Sequence, residues 1–339
     1  MTGVRHALRV SFAALSVIGL VVVLSGQANG APLAKNSGDY STAQILNYVK
    51  AAATTKTFPS SLDAALANAN VDQGTYLAQD VYGLVGSKKV SCNPLGTQSQ
   101  VPVQSCIWGD SHATKTIVLV GDSHAAQWIA GFDLIGKRLH LKVVLLTKSA
   151  CGVPDISFYY YSTKGAYPYC KKWHSYVTKE INKIDPAAVI FASDVVYPLN
   201  GSGAHITAAQ WTAGMVKTLD SITAPGIKKV VLGDEPRLGN PYPGEFGPSC
   251  LATHETSVQS CSTPTQIAIR AGLYSADEAG AKQAGASYIN VTPWFCSATC
   301  TALVHSVIVY ADDGHITNDY AEFVSGALQA ALERATGIT

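Results

Sequence analysis

From Lys115 onward, short β-branched runs alternate with helical stretches, and this alternation limits the possible folds more than any other property of the chain. Thr116–Val120, Leu141–Leu146, Ala188–Ala192, Lys229–Leu232 and Ser287–Asn290 read as buried strands, because they are nearly continuous apolar runs of strand length. Helical patterns separate them, at Ala125–Arg138, Lys172–Ile184, Ala208–Ile222 and a long Thr265–Ala284, and a closing helix is expected over Thr317–Ala335. Val307–Tyr310 is a further short apolar run. Strand–helix alternation on this scale implies a three-layer α/β fold, in which helices cover both faces of a mostly parallel sheet.

The start of the chain has a different character. Arg5 and Arg9 precede an apolar stretch from Val10 to Leu24, and Ala28-Asn29-Gly30 supplies small residues for cleavage before Ala31. Residues 1–30 therefore read as an export signal. The stretch is shorter than the ~20 residues of a membrane-spanning helix, and no cysteine stands near it to carry a lipid. Residues 31–110 read as a leader and N-terminal extension with helical patches such as Thr42–Val49, and residues 111–339 as the main domain. A Pro/Gly-rich segment without periodicity lies between Leu238 and Cys261.

Export makes the eight cysteines disulfide candidates. Cys92, Cys106, Cys151, Cys170, Cys250, Cys261, Cys296 and Cys300 fall into four sequence-adjacent couples, the simplest of many pairings. Zinc at Cys296 and Cys300 would need two more ligands, and only His305 is near, so no metal is expected; His174, His205 and His254 show no ligand spacing either. With 24 basic and 23 acidic residues, the chain lacks the concentrated basic charge that nucleic-acid binding requires. Lys88-Lys89, Lys171-Lys172 and Lys228-Lys229 read as solvated faces.

Two motifs carry chemistry. Gly121-Asp122-Ser123-His124 follows the first strand and precedes a helix, which is where open α/β sheets bind ligands. A serine there can be a nucleophile served by unpaired backbone N–H groups, or Ser123 or Asp122 can simply cap the helix. Near the other end, Asp312-Asp313-Gly314-His315 sets a carboxylate three residues before an imidazole, on one face if the turn is helical. Such a pair can orient a catalytic base, with Asp313 as the alternative acid, or it can be an acidic capping turn. Taken together the motifs favour a Ser123–His315–Asp312 triad, each on a rim that follows an apolar run. His124 reads equally as a substrate contact or a cap. Trp294 reads as core. In Phe158-Tyr159-Tyr160-Tyr161, Phe158 and one tyrosine are expected to pin the loop, although tyrosines can also line a glycan groove.

The order of these motifs excludes an α/β-hydrolase, whose serine sits in Gly-x-Ser-x-Gly and whose acid lies well before its histidine; here position 125 is Ala. The chain instead resembles the SGNH (GDSL-like) hydrolases, with their early Gly-Asp-Ser and late Asp-x-x-His. It is closer still to the SGNH domain fused to membrane acyltransferases that O-acylate cell-surface glycans. Gly121–His124, Trp294-Phe295-Cys296 with Cys300, Tyr310–Thr317 and Phe58–Leu62 carry that likeness across residues 43–335; the multipass membrane part is absent from this sequence.

The resemblance implies a flavodoxin-like sheet, Ser123 as nucleophile, His315 as general base and then acid, and Asp312 orienting His315. It also implies an oxyanion hole from the Ser123 N–H, the glycine after the second strand (here Gly152) and an asparagine after the third. That strand runs into Ala192-Ser193-Asp194, so Ser193 is the nearest side-chain substitute, and Asn200 lies further along. No cofactor is implied. The expected activity is an O-acyl esterase on acylated cell-envelope carbohydrate or another small ester, outside the cytoplasm. An acyltransferase with the same triad, working with a membrane acyltransferase, is the alternative, and a catalytically weak carbohydrate-binding module is a third.

Overall fold

Six strands, β1 (Ile107–Gly109), β2 (Lys115–Gly121), β3 (Leu141–Thr147), β4 (Ala188–Ala192), β5 (Lys228–Leu232) and β6 (Ser287–Ile289), form the central sheet. The computed structural model describes residues 39–63, 65–66, 82–85, 87–196, 198–239, 247–269, 272–312 and 314–339. The residues expected to form the signal and most of those expected to form the leader lie outside these residues, as does Asp313.

The strand order is β6-β5-β4-β2-β3-β1. All neighbours run parallel except β1, which pairs antiparallel with β3. Counting the five parallel strands alone, this is the doubly wound flavodoxin-like order, whose switch point lies between β2 and β4. The middle of the sheet is buried: every residue of β4, and Ile117–Gly121 of β2, lies in the interior. That burial explains why these runs are apolar without alternation.

The principal helices are α1 (Thr42–Ala52), α2 (Ser123–Ala126), α3 (Ile129–Arg138), α4 (Pro168–Ile184), α5 (Ala208–Asp220), α6 (Tyr274–Gln283), α7 (Asn318–Phe323) and α8 (Ser325–Thr336). Their ends follow local chemistry. Ser41 with Gln44 and Thr207 with Gln210 form capping boxes for α1 and α5, and Pro168 begins α4, where its missing N–H costs nothing.

Several expected elements differ, and the closing Thr317–Ala335 helix is one of them, divided at Val324 into α7 and α8. The helix after Ser123 is split into α2 and α3: the Gln127 side chain donates to the His124 carbonyl at 3.1 Å, and the Trp128 N–H turns back to Ala125 O. The long Thr265–Ala284 helix is broken, leaving Thr265–Ala268 and α6, because the Leu273 N–H donates to Val195 O across the fold. Val307–Ile308 does not join the sheet; it pairs with Leu303–Val304 in a small hairpin.

Four disulfides join the sequence-adjacent couples: Cys92–Cys106, Cys151–Cys170, Cys250–Cys261 and Cys296–Cys300. The last two cysteines are thus bonded to each other rather than available to zinc. Disulfides in this number fit an extracytoplasmic location. Among the described residues, no helix is long and apolar enough to cross a membrane.

Residues of the N-terminal extension pack into the same core. Ile45, Val49 and Ala52 of α1 are buried, and the Phe58 N–H donates to Glu255 O. The Cys92–Cys106 loop docks at the C-terminal end of β3, where Thr147 Oγ1 donates to Cys92 O at 2.8 Å and the Lys148 ammonium reaches Gly96 O and Gln98 O at 3.0 and 2.6 Å. Burial pulls Lys148 down to about 8.

Candidate active site

Ser123 begins α2 at the C-terminal end of β2, beside the switch point. The approach to it requires glycine: Gly121 has φ +152°, and a Cβ there would lie 1.8 Å from the Ala192 carbonyl of β4. Asp122 stabilises the turn from within. Its Oδ1 accepts the His124 N–H at 2.9 Å and its Oδ2 the Asp194 N–H at 3.1 Å, so the turn is tied to the loop that follows β4. Burial pushes the Asp122 carboxyl up to about 6, against the pull of His124. Of the two cap readings, Asp122 is the N-cap and Ser123 the first helical residue.

His315 Nε2 stands 2.9 Å from Ser123 Oγ, and His315 Nδ1 stands 2.8 Å from Asp312 Oδ2. Two motifs 192 residues apart in the chain therefore meet in one hydrogen-bonded row. The loop is not a helical turn, contrary to the spacing argument. Asp312 Oδ1 accepts the Gly314 and His315 N–H groups at 2.8 and 2.6 Å, so one carboxylate both shapes the turn and orients the ring. Burial alone would raise the Asp312 carboxyl, but the hydrogen bond and charge of His315, with those two N–H groups, hold it below its ordinary value. With its Nδ1–H donated to the Asp312 carboxylate, His315 presents an Nε2 lone pair that can accept a proton from Ser123 Oγ.

The residues considered for an oxyanion hole occupy different situations. Gly152 lies in the buried loop held by Cys151–Cys170; His174 Nε2 donates to its carbonyl at 2.8 Å, and its N–H has no acceptor among the described residues. Ser193 Oγ accepts the Val153 N–H at 2.6 Å, so this side chain supports the Gly152 loop. Asn200 Oδ1 accepts from Ser202 and Ala204 within its own turn.

His124 is neither a solvent-facing contact nor a side-chain cap. Its ring is buried, with Nδ1 2.7 Å from Asp234 Oδ1 and 3.0 Å from Glu235 Oε1. Sequence reasoning missed Asp234, Glu235, Gln127 and Arg237. The one available signal was position, since Asp234-Glu235 directly follows β5 on the ligand-bearing rim. Arg237 pairs loosely with Asp194 at 3.5 Å, and its guanidinium lies against Gly314.

The neighbouring aromatics are mostly structural. Phe158 is buried edge-on to Trp211, Tyr160 stacks on Tyr167, and Tyr161 is exposed; Trp294 packs against Trp128 in the core.

A serine, an imidazole and a carboxylate in this order can carry acyl transfer through a covalent intermediate. A family model and several solved structures are similar to this chain. Residues 91–330 match the model of the SGNH domain (fused to AT3 domains). The chain is similar in structure to the periplasmic domain of the lipopolysaccharide acetyltransferase of Salmonella ser. Paratyphi A, at 14% identity and TM-score 0.50, over 66% of this chain and 85% of that one. A GDSL-like lipase from Bacteroides thetaiotaomicron aligns over 65% of this chain and 89% of its own, at 14% identity and TM-score 0.38. No curated protein matches the chain. With the family model covering most of its length, this chain belongs to the SGNH domain family and is an SGNH-type serine esterase or O-acyltransferase.

Proposed function

We propose that the protein is an exported O-acyl esterase that removes acyl groups from cell-envelope carbohydrate. The observation that carries this reading is the row Ser123 Oγ–His315 Nε2–Asp312 Oδ2, with steps of 2.9 Å and 2.8 Å. In the first half-reaction Ser123 Oγ attacks the ester carbonyl carbon and its proton passes to His315 Nε2. The carbonyl oxygen takes up negative charge, with the N–H groups of Ser123 and Gly152 as its donors. Collapse breaks the bond to the sugar oxygen, which leaves with the proton from His315. In the second half-reaction water gives a proton to His315 and attacks the acyl-serine, releasing the acid and regenerating Ser123. Asp312 stays ionised throughout and stabilises the imidazolium form of His315.

A second reading has its own support, because the family is described by its fusion to AT3 domains. In that reading a sugar hydroxyl replaces water in the second half-reaction, and a membrane acyltransferase supplies the acyl group. An ester-hydrolysis assay comparing purified wild type with Ser123→Ala tests the shared chemistry. The expected result is loss of at least ~10³-fold in turnover; equal activity in both proteins would sink the reading and leave a carbohydrate-binding module. An acylated donor supplied with and without a glycan acceptor separates the two readings. Free acid without labelled acceptor means hydrolysis, and labelled acceptor means transfer.

A further inference from the structure

Three segments of the chain converge on the buried ring of His124. Asp234 and Glu235, after β5, face its Nδ1 at 2.7 and 3.0 Å. The second oxygen of Asp234 accepts the Val195 N–H at 3.0 Å, just beyond β4. The second oxygen of Glu235 accepts from Gln127 Nε2 at 2.6 Å, and Gln127 Oε1 accepts the Ile316 N–H at 2.8 Å. Ile316 is the residue after His315, and the rings of His124 and His315 lie 4.7 Å apart between centroids.

We infer that His124, through Asp234, Glu235 and Gln127, is a positioning centre that sets both the place of His315 and the ease with which it takes up a proton. The inference deepens the triad chemistry proposed above and rests on it for its kinetic part. It has two arms. The geometric arm runs through Gln127, the side chain that links the buried acids to the backbone beside His315. A misplacement of ~1 Å in such a row costs on the order of 10²-fold in rate.

The electrostatic arm is the charge on His124. Burial works against that charge, but Asp234, Glu235 and Asp194 outweigh it and hold the ring protonated. Acidic groups face the ring from several elements: Asp122 on its own turn, Asp194 after β4, Asp234 and Glu235 after β5, and Asp312 beyond His315, with the Arg237 guanidinium on Asp194 as the nearby cation. The hydroxyls of Tyr274 and Tyr310 close the cluster on the carbonyls of Glu235 and Pro236. A cation at 124, with its ring centroid 4.7 Å from that of His315, repels the positive charge that His315 gains when it takes the serine proton.

The test is the acid limb of the kcat/KM pH profile. His124→Gln removes the cation and keeps a hydrogen-bonding side chain; the limb is expected to move to higher pH by about 0.5–1 unit. His124→Lys restores a cation between the same acids and is expected to bring the limb back. Gln127→Leu leaves the charge and is expected to lower kcat by ~10-fold or more with KM little changed and the limb in place. The same coupling is read without catalysis by NMR titration of the His315 ring in Ser123→Ala, with and without His124→Gln. A midpoint that shifts upward there, in a protein whose wild type hydrolyses no ester, overturns the proposed function and leaves the coupling standing. A limb and a midpoint that both stay put, with only the melting temperature reduced, overturn the electrostatic arm. Wild-type kcat in Gln127→Leu overturns the geometric one.

Discussion

His315 and His124 both turn Nδ1 to a carboxylate, yet one pair opens toward solvent at the rim and the other is sealed beneath it. The His315 and Asp312 side chains keep 15% and 20% of their exposure, against 4% and 1% for His124 and Asp234. The exposed pair has one acid, and that acid is also satisfied by two backbone N–H groups. The buried pair has two acids, and burial together with Glu235 pushes the Asp234 carboxyl well above its ordinary value. The difference teaches how a histidine–carboxylate contact divides between chemistry and architecture. With solvent access and Nε2 on a hydroxyl, it can exchange protons with a substrate. Without access, and with its acids bonded to other segments, it holds loops in register.

The largest effect that could break this comparison is at the exposed acid. Asp312→Asn is expected to lower kcat/KM by ~10³–10⁴-fold, through loss of the oriented tautomer, with a smaller loss of stability than at the buried ring. A loss below ~10-fold would mean the exposed pair is as architectural as the buried one.

At the buried ring the order of effects reverses. His124→Ala leaves the buried Asp234 and Glu235 without the ring that joins them and is expected to destabilise the fold by about 3–5 kcal/mol in urea unfolding near neutral pH. Its pH dependence sharpens the contrast. The folded fold holds His124 protonated above its ordinary range, so its contribution is fully present below ~6.5 and is lost as pH rises through the folded value. Asp312 is held below its ordinary value, so its contribution is present at neutral pH and is lost as pH falls through that lower value. Unfolding measured across pH should therefore show the His124→Gln penalty shrinking toward alkali and the Asp312→Asn penalty shrinking toward acid.

The smallest effect probes the edge between the pairs. A Cβ at Gly314 would meet the guanidinium of Arg237, a flexible end that can swing away. Gly314→Ala is expected to cost less than ~1 kcal/mol, the worth of a loose, partly exposed ion pair. A larger loss in thermal unfolding would show that Arg237 holds the His315 loop more firmly than its 3.5 Å contact with Asp194 suggests.

The part of this architecture legible in the sequence is the part written locally. The β2, β3 and β4 runs announce themselves because parallel strands buried on both faces carry apolar residues in succession. Ser123, Asp312 and His315 stand out as chemical side chains just past apolar runs, and adjacent cysteines pair as the simplest arrangement suggests. What was illegible depends on partners far along the chain. Glu235 lies 108 residues from Gln127, and Gln127 lies 189 from Ile316, so no window contains the network. The break before α6 has the same origin, since a bond from Leu273 to Val195 overrides a helical pattern that is locally sound. Asp312 and His315 are neighbours for a reason other than helical spacing. The carboxylate makes the turn itself, so no helix is needed.

The two outermost strands of the sheet, β1 and β6, are only three residues long each. A parallel sheet exposes unpaired peptide groups along both margins, and long flat margins recruit strands from other molecules. Here each margin offers too few such groups to seed intermolecular pairing. On one side, the short antiparallel strand that ends the sheet follows directly on Cys106, whose bond to Cys92 anchors it. That cross-link therefore holds in place the short strand that covers the margin of β3.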